Sequence, residues 1–100
     1  MNWLKNILSP EERRIIGADA KQALENKHWK EAFSAVEGYL VEKAKATDTT
    51  QVERAQDVIR CLQLLEAVRR ELVRKIEDGE MAQIEIAEIE RRKKPLQFSR

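Results

Sequence analysis

The chain carries one histidine, His28, and one cysteine, Cys61, so any nucleophilic Cys–His pair would have to be built from these two residues. The helical register read below sets Cys61 more than two turns along a facing helix from the level of His28, too far for a dyad. One cysteine excludes an intramolecular disulfide and a cysteine-based zinc site, and one histidine excludes a multi-histidine metal site. Carboxylates are plentiful, with 18 Asp and Glu against 19 Lys and Arg. They alternate with basic neighbours on helix faces, the usual pattern of solvated surface charge. A catalytic carboxylate pair needs a cleft to shift its pKa, and thin packed helices offer none. No phosphate-binding glycine loop occurs. The expectation is a non-enzymatic protein that uses no cofactor and no metal.

The strongest remaining chemical signal is charge segregation at the C-terminal end. Residues 76–90 contain Glu77, Asp78, Glu80, Glu85, Glu88 and Glu90 and no basic residue, whereas residues 91–100 contain Arg91, Arg92, Lys93, Lys94 and Arg100 and no acidic one. Arg91–Lys94 is the candidate nucleic-acid contact, since contiguous cations neutralise phosphates and give salt-dependent binding. The same cluster also reads as a solvated helix end that complements the helix dipole. A third reading pairs the acidic and basic blocks between two copies, which predicts an oligomer weakened by salt. Overall charge is +1 and favours no class of partner.

The clearest helical pattern runs from Thr50 to Asp78. Ala55, Val58, Leu62, Leu65, Leu72 and Ile76 recur at steps that share one helix face. Val52, Ile59, Val73, Cys61, Leu64 and Val68 widen the stripe beyond what one thin helix can cover. Thr50-Gln51-Val52-Glu53 reads as a capping box, with Asp48 or Thr49 as alternative caps. Asp78-Gly79 reads as a stop, because glycine takes the left-handed conformation that ends helices. Upstream, Ser9-Pro10-Glu11-Glu12 is a helix start. That helix runs to about Glu25, with Ile16, Ala20, Ala23 and Leu24 inward and Glu12, Arg13, Lys21 and Gln22 outward. Gly17, Ala18 and Ala20 make it thin enough for close approach of another helix. Asn26-Lys27-His28 breaks it, with Asn26 as a left-handed terminator. A further helix spans His28 to Ala46 on the stripe Trp29, Phe33, Val36 and Leu40. The short loop Thr47–Thr50 then forces an antiparallel hairpin.

Arg69 interrupts the stripe between Leu65 and Leu72. Either Val68 takes the seam position and Arg69 snorkels to water, or Arg69 is a polar seam residue that sets register or partner number. Mirroring the helices about the loop puts it level with His28 and Trp29, which predicts stacking on Trp29 or a bond to Glu25. Glu66, three residues earlier, is a second partner. After Gly79, Met81, Ile84, Ala87 and Ile89 fit a short helix, while the alternation around Ile84 and Ile86 also fits a strand added to a partner's sheet. At the other end, Trp3, Leu4, Ile7 and Leu8 share one side of an amphipathic arm. Trp3, Leu4, Ile7, Leu8, Arg69, Ile84, Ile86 and Ile89 are therefore the candidate partner-binding residues.

The expected fold is all-α: an elongated antiparallel hairpin over residues 28–78, an additional N-terminal helix, and a short C-terminal helix or extended tail. The boundaries are an arm at 1–9, a helical domain at 10–79 and a charged segment at 80–100. A composition with 37% charged residues and three glycines fits long exposed helices. So small a domain buries a modest share of its surface, which favours a homo-oligomer. No apolar run approaches the ~20 residues of a membrane span, and no leader pattern is apparent. The expectation is a soluble protein with no membrane partner.

From Leu24 to about Ala82 the chain resembles small helical proteins encoded by tailed phages and prophages. The resemblance rests on Trp29, Glu31, Ala32, Phe33, Val36 and Glu37, then on Leu62, Leu65, Asp78, Gly79 and Ala82. It implies a gene near those for head, portal and packaging proteins, and it transfers no active-site residue. Function is then expected to be that of a virion structural or assembly protein, made in the host cytoplasm and carried into the virion or acting during assembly. Its partner would be itself or another virion protein. The alternative is a DNA-packaging accessory that uses the basic tail.

Overall fold

The structure, a computed structural model, describes residues 7–93. Three helices follow in order: α1 (Pro10–Glu25), α2 (Lys27–Ala46) and α3 (Val52–Lys93). No strand occurs among the described residues, so the all-α expectation holds. Contacts divide the chain into two compact units. One joins the residues up to Lys21 to those from Val73 onward, and the other spans Gln22–Leu72.

The start of α1 is as expected: the Ser9 hydroxyl accepts from the Glu12 N–H at 3.1 Å, and the Ser9 carbonyl accepts from Arg13 at 3.0 Å. Asn26 has a different role from the left-handed terminator expected of it. Its backbone is extended, with φ −63° and ψ 129°, and its side chain caps α2 by accepting from the N–H groups of His28 (2.8 Å) and Trp29 (3.1 Å). A short polar side chain just before a helix satisfies donors that have no carbonyl partner, and here that role wins. At the far end of α2, the Thr47 hydroxyl donates to the Lys43 carbonyl at 2.6 Å. The turn into α3 is organised by Asp48, whose carboxylate accepts from the Thr50 N–H at 2.9 Å while its carbonyl accepts from Gln51. The helix begins at Val52, two residues after the Thr50 start expected from the capping box.

The larger correction concerns Gly79. It does not end the helix: α3 continues through it for 42 residues, to Lys93, and no residue there has a positive φ. The segment expected to be a separate short helix, a strand or a tail is the second half of α3 as far as Lys93. The reason is packing. In the first unit, Gly79 faces Gly17 across the α1–α3 contact, and a Cβ built on either would lie 2.8 Å from the other's Cα. The Lys75 carbonyl sits 2.9 Å from such an atom on Gly17, and the Arg13 carbonyl 3.2 Å from one on Gly79. The partner residue number on α3 falls as that on α1 rises, so the two run antiparallel in a hairpin-like pairing. Glycine here provides closeness of approach rather than a turn.

Ala20 and Ala82 complete the contact, each three residues beyond its glycine, and with Gly17 and Gly79 they are the buried residues among those described. Ile16 and Ala23, expected inward, are exposed. Arg13, expected outward, is turned in and engages Asp78 and Glu85. Small side chains at i and i+3 let the backbones meet, and this pushes the bulkier Ile16 off the contact line.

In the second unit, α2 and the first part of α3 form the hairpin required by the short loop. Trp29, Phe33 and Leu40 of α2 and Ala55, Val58, Leu62 and Leu65 of α3 are half-buried. Among the described residues, Ala82 and Ala20 are the buried apolar side chains, and no large one is buried.

Candidate interaction surface

Large apolar side chains remain open to solvent in both units. Within the Gln22–Leu72 unit they include Val36, Tyr39, Ile59, Leu64 and Val68, with Leu64 67% and Val68 52% exposed. Within the α1–α3 unit they include Ile15, Met81, Ile84 and Ile89. Such residues cost little when scattered, but contiguous apolar surface on a helix face marks a contact waiting for a partner. Val68 does not fill the seam position vacated by apolar character at Arg69, since it points largely to water.

Arg69 has found a different ring from the one expected. Its guanidinium lies 6.0 Å from the centre of the Phe33 ring. Phe33 in turn packs against Trp29, with 6.0 Å between ring centres and a 34° tilt. Arg69 also donates to Glu66 at 3.0 and 3.3 Å, as its spacing from that residue predicted. The ring that Arg69 meets thus lies one turn along α2 from Trp29. The hydrogen bond from Arg69 holds the Glu66 carboxyl below its ordinary value, partial desolvation opposing it. Beside these groups is an open hollow of about 490 Å³ lined by Leu24, Trp29, Lys30, Phe33, Ser34, Glu37 and Arg69. Aromatic faces and both signs of charge meet there, with Glu37 as the one carboxylate in the lining.

The other charged feature went unread in the sequence. Arg13 donates in a fork to Asp78, from Nε to Oδ2 at 3.1 Å and from Nη2 to Oδ1 at 2.9 Å, and reaches Glu85 from Nη1 at 2.8 Å. The Arg13 and Asp78 side chains are 12% and 17% exposed, so the pair flanks the Gly17–Gly79 crossing partly out of water. Its bonds to Asp78, and secondarily to Glu85, raise the Arg13 pKa against the opposing effect of desolvation. Asp78 and Glu85, seven residues apart on one face, were the signal available in the sequence.

Of the other sequence-predicted contacts, Ile7 is exposed and Leu8 half-buried, Ile84 and Ile89 are exposed, and Ile86 is half-buried. Trp3, Leu4 and Lys94 lie outside the described residues. Arg91, Arg92 and Lys93 are exposed in the last turn of α3. Arg91 donates to both Glu88 oxygens at 2.6 and 2.8 Å, and Arg92 lies 3.4 Å from the same carboxylate. Among the described residues, no group of three or more His, Cys, Asp or Glu is placed to hold a metal ion, and no helix is long and apolar enough to cross a membrane. No family model, curated protein or solved structure matches this chain.

Proposed function

We propose that this chain is a non-enzymatic association protein that joins protein surfaces through uncovered helix faces. Its setting is a tailed phage or prophage, where it serves as a virion structural or assembly component near the head and portal. The observation that carries association is the near absence of an interior. Among the described residues the buried ones are two glycines and two alanines, while large aliphatic side chains stand open on every helix. Burial of apolar area is the main driving force of folding and association, and a chain with so little inside has most of that area left for a partner. The phage setting is supported by the sequence resemblance between Leu24 and Ala82. The second reading, a nucleic-acid accessory, draws on the exposed Arg91, Arg92 and Lys93. Glu88 already engages two of these, and the acidic run before them repels a phosphate backbone, so protein association is favoured.

Light scattering on size-exclusion fractions across a salt series, with and without duplex DNA, separates the two. An oligomer that ignores DNA supports association. A salt-sensitive DNA complex abolished by deleting residues 91–100 replaces it with the nucleic-acid reading. Mass spectrometry of purified particles and of assembly intermediates tests the setting. Absence from both, together with a monomer in solution, would overturn the proposal.

A further inference from the structure

We propose that the outer stripe of α3 in the Gln22–Leu72 unit binds a second copy of this chain, the two α3 helices lying antiparallel about a two-fold axis between Leu65 and Glu66. This rests on the association reading and names its partner and register.

Arg60, Leu64, Ala67 and Glu71 fall at i, i+4, i+7 and i+11, one line along the helix, and Cys61 and Val68 form its shoulder. Leu62 and Leu65 are half-buried and Arg69 meets Phe33 of α2. The Arg60–Glu71 line points away from that contact, and each of its members, with Cys61 and Val68, is exposed. The hairpin therefore closes without covering it.

The order of residues along the line selects the occupant. It reads cation, apolar, apolar, anion. In an antiparallel helix pair, residues at one level have a constant sum of positions. A two-fold axis between Leu65 and Glu66 sets Arg60 level with Glu71 of the second copy, and Glu71 level with its Arg60. It also sets Leu64 against Ala67 and Val68 of the other chain. Both ends of the contact then join opposite charges around an apolar centre, the anatomy of a small isologous interface. A parallel, in-register pair would place Arg60 beside Arg60 and Glu71 beside Glu71, which charge repulsion disfavours. Within the protomer Arg60 lies 3.5 Å from Asp57, an exposed pair whose partners can readily turn to a new carboxylate.

The test is a charge-reversal cycle read by sedimentation equilibrium, with circular dichroism confirming unchanged helicity. Arg60→Glu and Glu71→Arg should each weaken the dimer by roughly tenfold, since each converts two attractive pairs into two repulsive ones. The double variant carries complementary charges again and should return to near wild-type affinity. Leu64→Ser should weaken the dimer while leaving the protomer folded. Mild oxidation should not link the chains, because this register sets the two Cys61 residues about 14 Å apart along the axis. Rapid disulfide formation through Cys61, or a double variant no stronger than the single ones, overturns this contact. An oligomer indifferent to all three substitutions also overturns it, while leaving the broader association reading intact. A wild-type chain that stays monomeric overturns it too, and the particle assay alone then judges the broader reading.

Discussion

Two glycines in helices meet opposite fates when given a methyl group. Gly38 has nothing within 4 Å of a built Cβ, so Gly38→Ala is expected to stabilise the protein by about 0.5–1 kcal/mol through helix propensity. Gly79→Ala gains the same propensity but drives a carbon to 2.8 Å from the Gly17 Cα, backbone that cannot step aside. The helices must part there, and a net loss of about 1–3 kcal/mol is expected for either Gly17→Ala or Gly79→Ala. Urea denaturation of the three variants measures the contrast. The sequence does not show that Gly79 meets another backbone and Gly38 does not, because the distinction depends on which face is covered. Beside that crossing, Arg13→Leu removes the forked bonds to Asp78 and leaves the carboxylate partly desolvated. A loss of about 1–3 kcal/mol is expected, shrinking in high salt. Urea melts at low and high ionic strength check both statements.

At the scale of the element, the helix ends rest on single side chains. Asn26 accepts two N–H groups at the start of α2, and Asn26→Ala should cost about 1 kcal/mol in thermal or urea unfolding. Ahead of α3, the N–H of Thr50 holds the Asp48 carboxyl below its ordinary value of 3.8, and its hydroxyl adds to the effect. The bond from Arg69 likewise holds Glu66 below 4.5. The sign follows from the lowered values. Each carboxylate contributes stability that is present above its ordinary pKa and lost as pH falls through the depressed one. Acid titration followed by circular dichroism should show helicity falling below about pH 4.5, and Asp48→Asn should blunt the lower part of that loss. The caps were partly legible in the sequence. Ser9-Pro10 allowed one reading, whereas Asn26 allowed two, since asparagine can close one helix or open the next. With one residue between α1 and α2, geometry rather than propensity chose.

At the scale of the molecule, no large side chain is buried among the described residues, which leaves much of their apolar surface open. Association should therefore strengthen with temperature near the low end of the physiological range, as expected of apolar burial. Light scattering between cold and ambient conditions checks this, and an oligomer that tightens on cooling would point to charge instead.

The sequence by itself determined that the chain is all-helical, where α1 begins, that a hairpin closes at about Thr47–Thr50, and that Glu66 pairs with Arg69. These depend on neighbours within about a turn, where spacing and capping chemistry act directly. Only the tertiary structure decided that α3 runs through Gly79, that Arg13 turns inward to Asp78 and Glu85, and that Arg69 meets Phe33 rather than Trp29. A glycine after an aspartate is a stop signal when the helix end is free. It becomes a crossing point when another glycine presses against it, and that partner lies more than sixty residues away in the chain. The choice of Phe33 over Trp29 by Arg69 has the same origin. It is set by how side chains interlock across the hairpin, which the spacing within either helix does not contain.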